Sequence, residues 1–135
     1  MRAIYLADSE ETAWAEWYRA LSERALPPDR GFPRDLWRVR VTLERVADLS
    51  TPERLARVGL PVPRPRQAEW RAFQAVGERL FGAGFEAIVA PSAARPEDGR
   101  SLAVFRPVDR FANLSPVGRP RRIEALPFIP RGLRT

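Results

Sequence analysis

Ile4-Tyr5-Leu6-Ala7-Asp8-Ser9-Glu10-Glu11-Thr12-Ala13-Trp14-Ala15-Glu16 is the stretch that decides how this chain folds. It opens as a short apolar strand and stops at Asp8-Ser9, where either side chain suits a helix N-cap. The acids that follow fall in the first turn, where the helix dipole favours negative charge. The spacing predicts a helix from about Glu10 to Ala25, with Trp14, Trp17, Tyr18 and Leu21 as its apolar stripe. Tyr5 stands at the end of the strand, and Glu16 lies off the stripe. By spacing alone Glu16 is a solvated surface residue, since exposed glutamates on helices are the rule.

The chain has 135 residues, enough for one domain with a single core, and its hydrophobic fraction of 44% is that of a folded globule. No apolar run approaches the length of a transmembrane helix and the N-terminus lacks a signal-peptide core, so no membrane is expected and a cytoplasmic location is. Cys and His are both absent. That removes disulfides, thiolate nucleophiles, imidazole acid–base chemistry and Cys/His metal sites, so no metal is expected and any catalysis rests on Glu, Asp, Ser, Tyr or Arg.

All 23 basic residues are Arg, for a net charge of +6. Residues 91–135 hold 9 Arg against 4 acids, so the excess is concentrated there. Arg suits phosphate, but a GC-rich coding bias produces the same enrichment and also raises Pro and Ala. No groove-reading element accompanies the charge, so only weak, non-specific nucleic-acid binding is expected.

Further along, Leu26 to Pro33 reads as a loop. Trp37, Val39, Val41 and Leu43 alternate with polar residues and predict a one-face-buried strand that ends at Val46-Ala47-Asp48-Leu49. Ser50-Thr51-Pro52-Glu53 reads as a capping box opening a short helix that Gly59 ends. Pro61, Pro63 and Pro65 force an extended linker. Gln67 to Phe81 predicts a second long helix, and Phe85–Ala90 and Ser101–Phe105 a hairpin with Ser92 at the mouth of its loop. Beyond Pro107, repeated prolines leave Val108–Leu114 as a turn of helix at most and Leu126-Pro127-Phe128-Ile129 as an apolar patch able to pack back. The expectation is an α+β fold with a small mixed sheet and packed helices, residues 1–106 forming its body and 107–135 a Pro/Arg-rich extension of the same domain.

Taken in order, Tyr5-Leu6-Ala7-Asp8-Ser9, Glu11-Thr12-Ala13-Trp14-Ala15-Glu16, Val41–Leu49, Gln67–Phe81, Gly84–Ala93 and Leu102–Phe105 resemble the RES domain, named for Arg, Glu and Ser. This family provides the toxin half of bacterial toxin–antitoxin pairs. The resemblance implies an ADP-ribosyltransferase-like fold and an enzyme that destroys NAD+ at the nicotinamide–ribose bond, by hydrolysis or by phosphorolysis with inorganic phosphate as co-substrate. NAD+ is then substrate rather than cofactor, the protein partner is an antitoxin of the Xre class, and there is room for a homodimer.

Carried over by position, Glu16 steadies the sugar cation or orients the nucleophile, Tyr5 stacks on nicotinamide, and Ser92 hydrogen-bonds the substrate. Ser101 takes the place of an Asn usual in the family. The family's Arg stands in a Gly-Gly-Arg-Trp segment ahead of the tyrosine, whereas Met1 here stands only four residues before Tyr5. The pyrophosphate role then falls to Arg2 or Arg95, with slow turnover or none expected. A non-catalytic module that binds the antitoxin is the alternative reading, and a basic nucleic-acid-binding protein a third.

Overall fold

A computed structural model describes residues 2–65, 70–106 and 113–135. The central element is a four-stranded sheet made of β1 (Arg2–Ala7), β4 (Val46–Asp48), β5 (Ala87–Pro91) and β6 (Arg100–Arg106), in the order β1-β6-β5-β4. The β1–β6 and β5–β6 pairs are antiparallel and β4–β5 is parallel, so the sheet is mixed as expected. β5 and β6 form the anticipated hairpin, and β1 adds to its outer edge with Tyr5 opposite Ala103 and Ala7 opposite Ser101.

Helix α1 (Glu10–Glu23) follows β1 directly, and Ser9 is its N-cap, its hydroxyl accepting the Thr12 N–H at 3.1 Å. Two sides of α1 are covered rather than one. Trp14 and Trp17 meet edge to face at 5.4 Å, and Trp17 meets Phe32 at 5.3 Å, which is the aromatic stripe read from the sequence. A second stripe, Thr12, Ala15, Glu16 and Arg19, turns toward the end of the sheet, with Thr12 and Ala15 fully buried. A single-turn 3-10 helix (Pro28–Gly31) follows, and the Phe32–Pro33 bond is cis.

The single strand expected between residues 36 and 49 is three strands in three sheets. β2 (Arg34–Leu36) pairs with β8 (Arg121–Ile123), β3 (Val39–Val41) pairs with β7 (Leu114–Pro116), and β4 joins the main sheet. The cause is local capture of backbone donors. The Glu86 carboxylate accepts the N–H groups of Glu44 and Arg45 at 2.6 and 3.0 Å, so the chain there bonds to a side chain instead of continuing a ladder. Those bonds hold the Glu86 carboxyl below its ordinary pKa.

Helix α2 (Pro52–Arg57) is capped one residue later than the sequence suggested. Thr51 accepts the Arg54 N–H, while both Ser50 donors turn back to Asp48. Helix α3 spans Trp70–Gly82. The start expected at Gln67 lies outside the described residues, as does most of the helical turn read at 108–114, whose last residue opens β7. Leu49, Leu55, Leu60 and Val76 form the buried core, with Phe73, Leu80 and Ile88 packed against it. Among the described residues no helix is long and apolar enough to cross a membrane.

The segment after β8 lies against the body. Tyr18 donates to the Pro127 carbonyl, Arg131 N–H donates to Glu11 at 2.7 Å, and Arg134 N–H donates to the Ala94 carbonyl at 2.8 Å. Burial raises the Tyr18 hydroxyl pKa. Phe128 and Ile129 remain 55% and 77% exposed, so the backbone of this patch packs back while its apolar side chains do not.

Candidate active site

The turn from β1 into α1 and the turn out of β5 meet at one point. Pro91 ends β5, and the fully buried Ser92 begins a tight turn in which its own Oγ accepts the N–H groups of Ala94 and Arg95 at 3.2 and 3.1 Å. Its N–H donates to the Gly99 carbonyl at 2.9 Å, closing the loop back on the start of β6. With lone pairs and backbone satisfied this way, the Ser92 hydroxyl hydrogen is directed at Glu16 Oε1, 2.6 Å away and 76 residues distant in sequence. A bond that short between hydroxyl and carboxylate is of the charge-assisted kind.

Glu16 is held from both sides. Oε1 takes the Ser92 hydroxyl and, at 3.4 Å, the Ala94 N–H. Oε2 takes the Arg19 guanidinium at 2.8 and 2.9 Å. Arg19 also pairs with Glu23 at 2.7 Å and lies 5.8 Å from the Trp70 ring centroid at the start of α3. Burial pulls the Arg19 pKa down, but the Glu16 and Glu23 carboxylates outweigh it and the net direction is upward. Glu16 thus lies in a partly enclosed setting, its side chain 25% exposed, rather than on an open helix face.

Arg95 follows Ser92 but is turned inward, only 7% exposed. Its guanidinium donates to Thr12 Oγ1 at 3.0 Å and to the Arg131 carbonyl at 2.6 Å, and faces Glu11 at 3.6 Å. In this arrangement it clamps α1, the 92–99 turn and the C-terminal segment together, and is not presented to solvent as a phosphate ligand. Tyr5 is 76% exposed on β1. Ser101 sits in register between Ala7 and Ala90, one diagonal step along the ladder from Tyr5.

The fold therefore joins Glu16 and Ser92 directly, sets Tyr5 and Ser101 on neighbouring strands, and places Arg95 beneath the pair. Arg19, which holds Glu16, carried no distinguishing signal in the sequence, and Thr12, which holds Arg95, entered only as part of the family-like Glu11–Glu16 run. Among the described residues no three acidic groups stand together as a metal site.

A strand-to-helix turn capped by Ser9, a helix carboxylate off the aromatic face and a serine at the end of a hairpin strand come together here. The RES domain family model matches residues 1–128, and the chain belongs to that family. Among solved structures it is similar to a chain of the M. tuberculosis MbcT–MbcA toxin–antitoxin complex, with a TM-score of 0.73 and 26% identity over 98% of this chain and 70% of that one. No curated protein matches.

Proposed function

We propose that the chain is the toxin of a toxin–antitoxin pair and acts by cleaving the nicotinamide–ribose bond of NAD+. The observation that carries this reading is the 2.6 Å bond between Ser92 and Glu16 in a RES-family chain. Nicotinamide leaves as a neutral base from a cationic ring, so the reaction needs no general acid. It needs a fixed negative charge beside a developing oxocarbenium ion, together with a positioned water or phosphate. Glu16, oriented by Ser92 and Arg19, supplies the charge. The exposed Tyr5 ring offers a face for nicotinamide, and Ser101 a hydroxyl to the substrate.

The likeness to a toxin–antitoxin complex supports an antitoxin as protein partner, of the Xre class on the family resemblance. The test is product analysis. The chain incubated with NAD+ is expected to release nicotinamide together with ADP-ribose, or with ADP-ribose phosphate when inorganic phosphate is required. Release of neither product would refute the NAD+ chemistry, and co-expression with the antitoxin gene should suppress both the release and any growth arrest.

A further inference from the structure

Between the four-stranded sheet and the two ribbons β2–β8 and β3–β7 lies a cavity of about 740 Å³. That is within the usual range for pockets that hold small molecules. Its floor is apolar, made by Leu6, Val89 and Leu102 from three neighbouring strands of the sheet. Its rim carries Trp37, 53% exposed, and four arginines: Arg38, Arg100, Arg119 and Arg121. The only acids on that lining are Asp8 and Glu10, and Glu10 pairs with Arg121. Among the described residues Arg38, Arg100 and Arg119 have no acidic side chain bound to them. An apolar floor under an exposed indole and three unneutralised guanidiniums is an arrangement for a ligand that is flat at one end and anionic at the other.

We propose that this cavity binds a nucleoside mono- or diphosphate, the base resting on the floor against Trp37 and the phosphate held by Arg38, Arg100 and Arg119. Guanidinium forks match phosphate oxygens, and an indole face suits a purine. Inorganic phosphate alone would leave most of the volume and the apolar floor in contact with water. Of the residues given to the NAD+ site, Ser101 borders this cavity, whereas Tyr5, Glu16 and Ser92 do not. By register, Leu6, Val89 and Leu102 stand on the sheet face opposite to Tyr5 and Ser101, so the cavity is separate from the Glu16–Ser92 pair.

Isothermal titration of the full chain with ADP tests this without NAD+ present, so its outcome is independent of the NAD+ chemistry. ADP is expected to bind, and inorganic pyrophosphate to bind about tenfold more weakly or worse, because it lacks the base. The double variant Arg38→Gln/Arg119→Gln should weaken ADP by about tenfold or more, and raised salt should weaken it further. Trp37→Ala should weaken ADP and leave pyrophosphate unchanged. These side chains are exposed, so the variants are expected to fold, and circular dichroism checks that they do. No heat from ADP in the unmodified chain, pyrophosphate binding as tight as ADP, or undiminished binding in the folded double variant would each overturn the proposal.

Discussion

A fully buried hydroxyl must direct its proton at an acceptor, and Ser92 directs its own at Glu16. Replacing Ser92 with Ala removes that bond and also the acceptor for two backbone N–H groups. The expected loss is about 2 kcal/mol in urea unfolding, since buried donors are left without partners. Neither half of the pair was visible from spacing. Glu16 looked like any surface glutamate, and family likeness alone singled out Ser92, because helical periodicity reports where apolar side chains face and says nothing of a hydrogen bond across the chain. Asp48 offers a separate test. Its bonds from the Ser50 hydroxyl and N–H, with Arg54 nearby, lower its pKa from 3.8 to about 2. The folded value is the lower one, so its stabilising contribution is present above about pH 4 and is lost as pH falls toward 2. The side chain is 53% exposed and water screens the pair, so Asp48→Asn should cost only about 1 kcal/mol or less at neutral pH. Urea melts of the two proteins should converge near pH 2.

Helix α1 is the element on which the site depends, because it packs aromatics on one side and buries Thr12 and Ala15 beside the partly enclosed Glu16 on another. The aromatic side was legible in the sequence. The second side was not, since small and polar residues leave no hydropathy signal, and its meaning appears only when the 92–99 turn is laid against it. Gly99 marks how tight that contact is: a Cβ there would meet Thr12 Oγ1 at 2.6 Å and Arg95 Cβ at 3.0 Å. Gly99→Ala is therefore expected to destabilise by about 1–3 kcal/mol in denaturant unfolding, whereas a change within about 0.5 kcal/mol would show that α1 and the turn are loosely joined. The region from 36 to 49 was misread for a related reason. Its alternation is real, but β7 and β8 offer ladders of only three residues and Glu86 intercepts the backbone between β3 and β4. Pattern alone does not reveal how much partner strand is available.

At the scale of the molecule, the helices and the mixed main sheet were readable from the sequence, while the two ribbons β2–β8 and β3–β7 and the role of the C-terminal segment were not. Residues 127–134 pack on α1 and on the Ser92 turn through Tyr18, Glu11, Arg95 and Ala94, contacts made by backbone groups that no side-chain pattern foretells. Arg95→Ala should thus speed amide exchange both at 92–95 and at 131–134. Acceleration confined to the 92–95 turn would mean that the segment is held independently. The whole arrangement serves one claim, that the fold brings Glu16 to Ser92 in order to break NAD+. Nicotinamide release from NAD+, measured side by side for the unmodified chain and for Glu16→Ala, tests it most directly. The account predicts release by the unmodified chain, slowed about a hundredfold or more in the folded variant. Equal rates in the two proteins, or no release by the unmodified chain, would contradict it.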